Sequence, residues 1–110
     1  MVRSKVAQAA KIQEASSHRW TFLSNHAHVL VCLATEDDPR LRDIAEQIGI
    51  TERAVGSILS DLEDEGFVEV TREGRRNSYR LRLDRPLRHP LEQHRDVREL
   101  VQLFVARRRA

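Results

Sequence analysis

The sequence predicts a mainly α fold with a β-hairpin, an α+β class in which three core helices precede the hairpin and N- and C-terminal helices flank it. Three observations carry this. Two short segments repeat apolar residues at i, i+3, i+4 and i+7: Leu41, Ile44, Ala45 and Ile48, then Val55, Ile58, Leu59 and Leu62. The period then changes from helical to alternating after Gly66, as a strand requires. The chain has 110 residues, which suits one domain and falls far short of the roughly 250 of a large barrel fold.

Residues 3–15 have helix-forming composition but only a weak stripe of Val6, Ala9, Ala10 and Ile12, so residues 1–19 read as an N-terminal helical arm. Trp20 and Phe22 are expected to anchor that arm to the core. The first core helix starts at Ser24 or Asn25, both good N-caps, and runs to Thr35. Its apolar residues Val29 to Ala34 wrap round it, which marks a central helix. Glu36-Asp37-Asp38-Pro39 breaks it. The second helix spans Leu41 to Ile48 and ends at Gly49, and Thr51 caps the third, with Glu52 where the dipole favours an acid. Gly66 closes it.

Phe67 to Arg72 and Ser78 to Leu83 read as strands, joined by Glu73-Gly74-Arg75-Arg76-Asn77. On the second strand Tyr79, Leu81 and Leu83 face one way while Arg80 and Arg82 face the other. Pro90 is expected to start a last helix with the stripe Val97, Leu100, Val101 and Phe104, and Arg107 to Arg109 sit where the helix dipole is negative. The expected organisation is therefore an arm at 1–19, a core domain at 20–84 and a C-terminal helical segment at 85–110.

The net charge of +2 hides a strong asymmetry. Residues 40–66 are net −4 and residues 67–90 are net +4, with seven arginines in the latter block. Only Lys5 and Lys11 are lysines. Arginine suits bidentate contacts to phosphate and guanine, so a basic block of this kind points to an anionic partner. The turn Ile48-Gly49-Ile50-Thr51 between two short amphipathic helices meets the demands of a helix-turn-helix. The face of the third helix opposite Val55 and Leu59 carries Arg53, Ser57, Ser60 and Asp64, with Gly56 on its flank. Its first turns are short and mostly polar, as entry into a major groove requires. Gly56 costs about 1 kcal/mol relative to Ala in a helix interior. Either tight helix packing or close approach of the backbone to DNA accounts for it.

The run LRDIAEQIGITERAVGSILSDLEDEGFVEVTREGRRNSYRL at 41–81, with WTFLSNHAHVLVCLA at 20–34 before it, resembles the winged helix-turn-helix of MarR-like bacterial transcriptional regulators, which share their fold class with ArsR-like sensors. The resemblance implies that the third helix enters the major groove while the hairpin wing tracks the backbone or minor groove. Carried onto this chain, it places Thr51, Arg53, Ala54 and Ser57 against bases and nearby phosphates. It makes Arg75, Arg76 and Asn77 the wing tip, with Arg72 and Arg80 flanking.

Other chemistries find little support. Cys32 lies in the apolar run of the first helix and reads as structural. One cysteine, and histidines at 26 and 28 that face apart on a helix, make no metal site; no catalytic motif or cofactor signature occurs. The longest apolar run, Val29 to Ala34, is far below the roughly 20 residues that cross a bilayer, and no leader is evident, so a cytoplasmic protein is expected. The expected function is that of a sequence-specific double-stranded-DNA-binding regulator, a repressor acting as a homodimer on a palindromic operator. Val97, Leu100, Val101 and Phe104 form its expected dimer seam. A winged helix that serves only as a protein-interaction module is the alternative, and the wing arginines argue against it. The sequence names no effector.

Overall fold

Each helix boundary in the helix-turn-helix region has a local cause. In the computed structural model, which describes residues 20–109 and side chains as far as Val105, α1 spans Asn25–Thr35. Ser24 caps it, its hydroxyl oxygen accepting from the Ala27 N–H at 3.2 Å. Helix α2 spans Leu41–Ile48 and stops at Gly49, whose φ of 90° is the left-handed conformation that glycine adopts without strain. Helix α3 spans Glu52–Asp64, and the Thr51 hydroxyl accepts from the Ala54 N–H at 3.0 Å. The chain then leaves the helix through Gly66 and enters the antiparallel pair β1 (Val68–Glu73) and β2 (Arg76–Leu81). The last helix, α4, spans Val97–Arg109.

One core unites these elements. Val29, Leu30 and Cys32 of α1 meet Ile44 and Ala45 of α2, and Val55, Ile58, Leu59 and Leu62 of α3. Phe67 and Val68 close it from the hairpin side. Val97 and Val101 of α4 are buried in the same cluster, Val97 completely. The last helix is thus packed onto the body of the domain, and two backbone bonds fix its entry: Val97 N–H to Arg85 C=O at 2.9 Å and Arg98 N–H to Leu83 C=O at 3.0 Å.

Three sequence expectations change. Trp20 and Phe22 are not part of the buried core: they are 70% and 92% exposed and pack edge-to-face on each other, with centroids 5.1 Å apart, while the arm they were expected to anchor lies outside the described residues. Pro90 does not begin α4. Residues 88–95 form bends and turns, and the helix starts after Asp96. The signal for that start is in the sequence: Asp96 and Glu99 form a reciprocal capping box, Glu99 N–H donating to Asp96 Oδ1 at 3.0 Å and Asp96 N–H to Glu99 Oε1 at 3.1 Å. The hairpin is also tighter than expected. Glu73 pairs with Arg76 and Arg72 with Asn77, which leaves a two-residue loop of Gly74 and Arg75. Gly74 has φ 62° while Arg75 stays at negative φ, the order of a II′ turn, and such turns let the ladder run to the loop's edge. The N-terminal arm with Val6, Ala9, Ala10 and Ile12, and the side chains of Arg107 to Arg109, lie outside the described residues.

Candidate nucleic-acid interface

Helix α3 is divided along its length. Val55, Ile58, Leu59 and Leu62 are buried, and Thr51, Glu52, Arg53, Ser57 and Ser60 are exposed on the other side. Burying the apolar stripe fixes the rotation of the helix, so the direction of the polar face follows from the core. Ala54 and Gly56 are half-buried at its margins. A methyl group built on Gly56 would meet no atom within 4 Å. Packing among the described residues of the protomer therefore does not require this glycine. Thr51 and Arg53 differ in freedom. The Thr51 oxygen is held by its capping bond and keeps a hydroxyl hydrogen to donate. Among the described residues the Arg53 side chain makes no hydrogen bond or ion pair.

The wing arginines are not equivalent. Arg72 is clamped by Glu63 near the end of α3, its two guanidinium nitrogens donating to the two carboxylate oxygens at 3.1 and 3.3 Å. This bidentate pair holds the Glu63 carboxyl below the usual carboxylate range, through the hydrogen bond first, and raises Arg72 in turn. Arg80 lies 3.6 Å from Glu69, across the ladder, and Arg82 reaches the same carboxylate at 3.3 Å. Arg76 is in β2 rather than at the tip, and its guanidinium donates to the main-chain oxygen of Asp38. Asn77 is half-buried in the ladder opposite Arg72. The wing tip expected at Arg75, Arg76 and Asn77 therefore reduces to Gly74 and Arg75. Arg75 is exposed and has no polar partner among the described residues.

The structure also brings together residues that the sequence pattern does not single out. Arg40 and Arg42, at the start of α2, line one cleft with Arg75, Arg76 and Glu52. A signal was available: the N-terminus of a helix is its positive end, so two arginines there oppose local electrostatics. Rules broken in this way cluster at functional sites.

On α4 the expected seam splits. Val97 and Val101 face the protomer's own core, because they fall on the side of the helix that meets α1. Leu100 and Phe104 are half-buried, and Leu103, not singled out from the sequence, is 70% exposed. Leu87, Leu100, Leu103 and Val105 border a mainly apolar recess there. Cys32 is buried, its thiol donating to Gln47 Oε1 at 3.5 Å, and burial pushes that thiol up. No described helix is long and apolar enough to cross a membrane.

No curated protein and no solved structure matches the chain. A family model described as MarR family matches residues 24–75, a stretch that runs from the cap of α1 through the helix-turn-helix and β1 to the wing tip. Proteins of that family are DNA-binding transcription regulators. Over those residues the chain is similar to the MarR family, and its helices and antiparallel hairpin have the winged helix-turn-helix fold of that family.

Proposed function

We propose that the protein is a sequence-specific repressor that binds a palindromic DNA operator as a homodimer in the bacterial cytoplasm. The observation that carries this reading is the exposed polar face of α3, held in direction by its buried stripe and left open at Gly56. The first turns of α3 enter the major groove, where Arg53 and Ser57 reach base edges and Thr51 and Ala54 meet the nearby backbone and base methyls. The wing tip at Arg75 follows a flanking phosphate. Phosphate contacts give affinity without sequence information, whereas the base contacts select the site. Occupancy of a promoter needs only these contacts, and occupancy alone represses.

Dimerisation supplies the second half-site. Leu100, Leu103 and Phe104 leave apolar surface on α4 that a symmetry mate can cover. Two α3 helices then lie about 34–36 Å apart, one turn of the duplex. The test is a paired titration of wild type and Arg53→Ala on operator and on scrambled duplex. The variant should lose about 1–3 kcal/mol on the operator and little on scrambled DNA if Arg53 reads a guanine. Equal losses on both would make Arg53 a phosphate contact and move base reading to Ser57 or Thr51. Absence of DNA binding by wild type at low salt would refute the proposal.

A further inference from the structure

We propose that the DNA backbone is gripped in the cleft between the start of α2 and the wing by Arg40, Arg42, Arg75 and Arg76, while Arg72 and Arg80 remain on their carboxylates and contribute no phosphate contact. The inference rests on the DNA-binding reading above and divides its arginines in two. Arg40, Arg42, Arg75 and Arg76 converge on one cleft whose lining includes a single acid, Glu52. The side chains of Arg42 and Arg75 are exposed and make no hydrogen bond or ion pair among the described residues. Arg76 is already aimed into this region by its bond to the Asp38 main-chain oxygen, which neutralises none of its charge. The positive end of α2 adds to the same potential. Asp43 offsets it in part, since one carboxylate oxygen accepts from the Arg40 N–H at 3.2 Å. The result is a concave surface with excess positive charge beside the first turn of α3, where a strand of DNA runs if that helix enters the groove.

Arg72 and Arg80 belong to a different balance. Each faces a carboxylate, Glu63 at 3.1 Å and Glu69 at 3.6 Å, so each pair presents almost no net charge to a polyanion. For Arg72 to bind phosphate, Glu63 would be left unpaired beside the DNA, and for Arg80 to do so, Glu69 would keep only Arg82 at 3.3 Å. Like-charge repulsion then cancels the gain. Counterion release, the main source of affinity for duplex DNA, scales with the positive charge that arrives at phosphates. Neutral pairs add little to it.

The experiment measures the affinity of full-length protein for a random-sequence duplex across a salt series. It compares wild type with Arg42→Ala/Arg75→Ala and with a variant that removes both neutral pairs whole, Glu63→Ala/Arg72→Ala with Glu69→Ala/Arg80→Ala. The first double variant should flatten the slope of log K against log salt by about 0.9 for each phosphate no longer neutralised, about 1.8 per protomer. The second should keep the wild-type slope. Arg42→Lys/Arg75→Lys, which retains the charge, should restore it. Thermal melting checks that each variant is folded. A wild-type slope in the first double variant overturns the inference, and so does equal flattening in the quadruple variant; both results leave the DNA-binding reading intact. Wild type that fails to bind duplex at any salt refutes that reading and the cleft with it.

Discussion

Gly56 shows what a single residue reveals once its surroundings are known. The sequence marked it as an unfavourable choice but left two explanations open. Open space around the missing side chain removes the intramolecular one among the described residues. Gly56→Ala should therefore raise stability by about 1 kcal/mol, read from denaturant unfolding, because alanine is the better helix former and meets no neighbour. The same variant should weaken operator binding, as its methyl would stand between the helix backbone and the groove. Unchanged affinity would show that the backbone does not approach DNA there. Cys32 makes a simpler case. Its place in an apolar run already implied burial, and the structure adds the raised thiol. It should react slowly with iodoacetamide in the native state and readily in denaturant, in the manner of an inert structural cysteine.

At the scale of elements, the helices were legible because their ends carry chemistry that works locally. Ser24, Gly49, Thr51 and Gly66 each act on a neighbouring backbone group, so the bounds of α1, α2 and α3 follow from a few residues. The hairpin was legible only in outline. Asn77 and Arg76 look like loop residues, but the cross-strand register that makes them strand is decided by Val68, Val70, Tyr79 and Leu81 against the core. Pairing of charges across 9 and 11 residues, Arg72 with Glu63 and Arg80 with Glu69, is equally a tertiary fact. So is the division of the α4 stripe, because periodicity gives a face without saying what covers it.

These elements carry two predictions. Val101→Ala should destabilise the protomer by about 1–3 kcal/mol through reduced burial, whereas Leu103→Glu should leave protomer unfolding nearly unchanged and shift sedimentation toward monomer. If Leu103→Glu stays dimeric, the interface is elsewhere. The Glu63–Arg72 clamp gives a pH dependence of known sign. A carboxyl whose folded value lies below its ordinary one, 4.5, stabilises the fold above that ordinary value and loses the effect as pH falls through the folded one. The melting temperature should therefore drop a little more steeply below about pH 4.5 in wild type than in Glu63→Gln. The pair is solvent-exposed, so the difference should be small and should shrink in high salt. Identical acid limbs for the two proteins would mean that the clamp does not persist in solution.

For the whole molecule, charge and core divide the labour. One continuous apolar core runs from α1 to α4 and fixes the orientation of α3 and of the wing. Net charge gives little hint of function, since +2 is ordinary, and even the basic block from 67 to 90 overstates the free charge once Glu63 and Glu69 are in place. The surface that remains open to an anion lies around the start of α2, the start of α3 and the wing tip. In the proposed homodimer, its two-fold repetition would turn a weakly selective contact into an operator reader. Selection of bound sequences from a random duplex pool tests this most directly. The account predicts enrichment of an inverted repeat whose half-sites are centred about 10–10.5 base pairs apart, or a multiple of that spacing, matching two α3 helices on one face of the duplex. Retention of the pool without any enriched sequence, or enrichment of a site lacking two-fold symmetry, would contradict it.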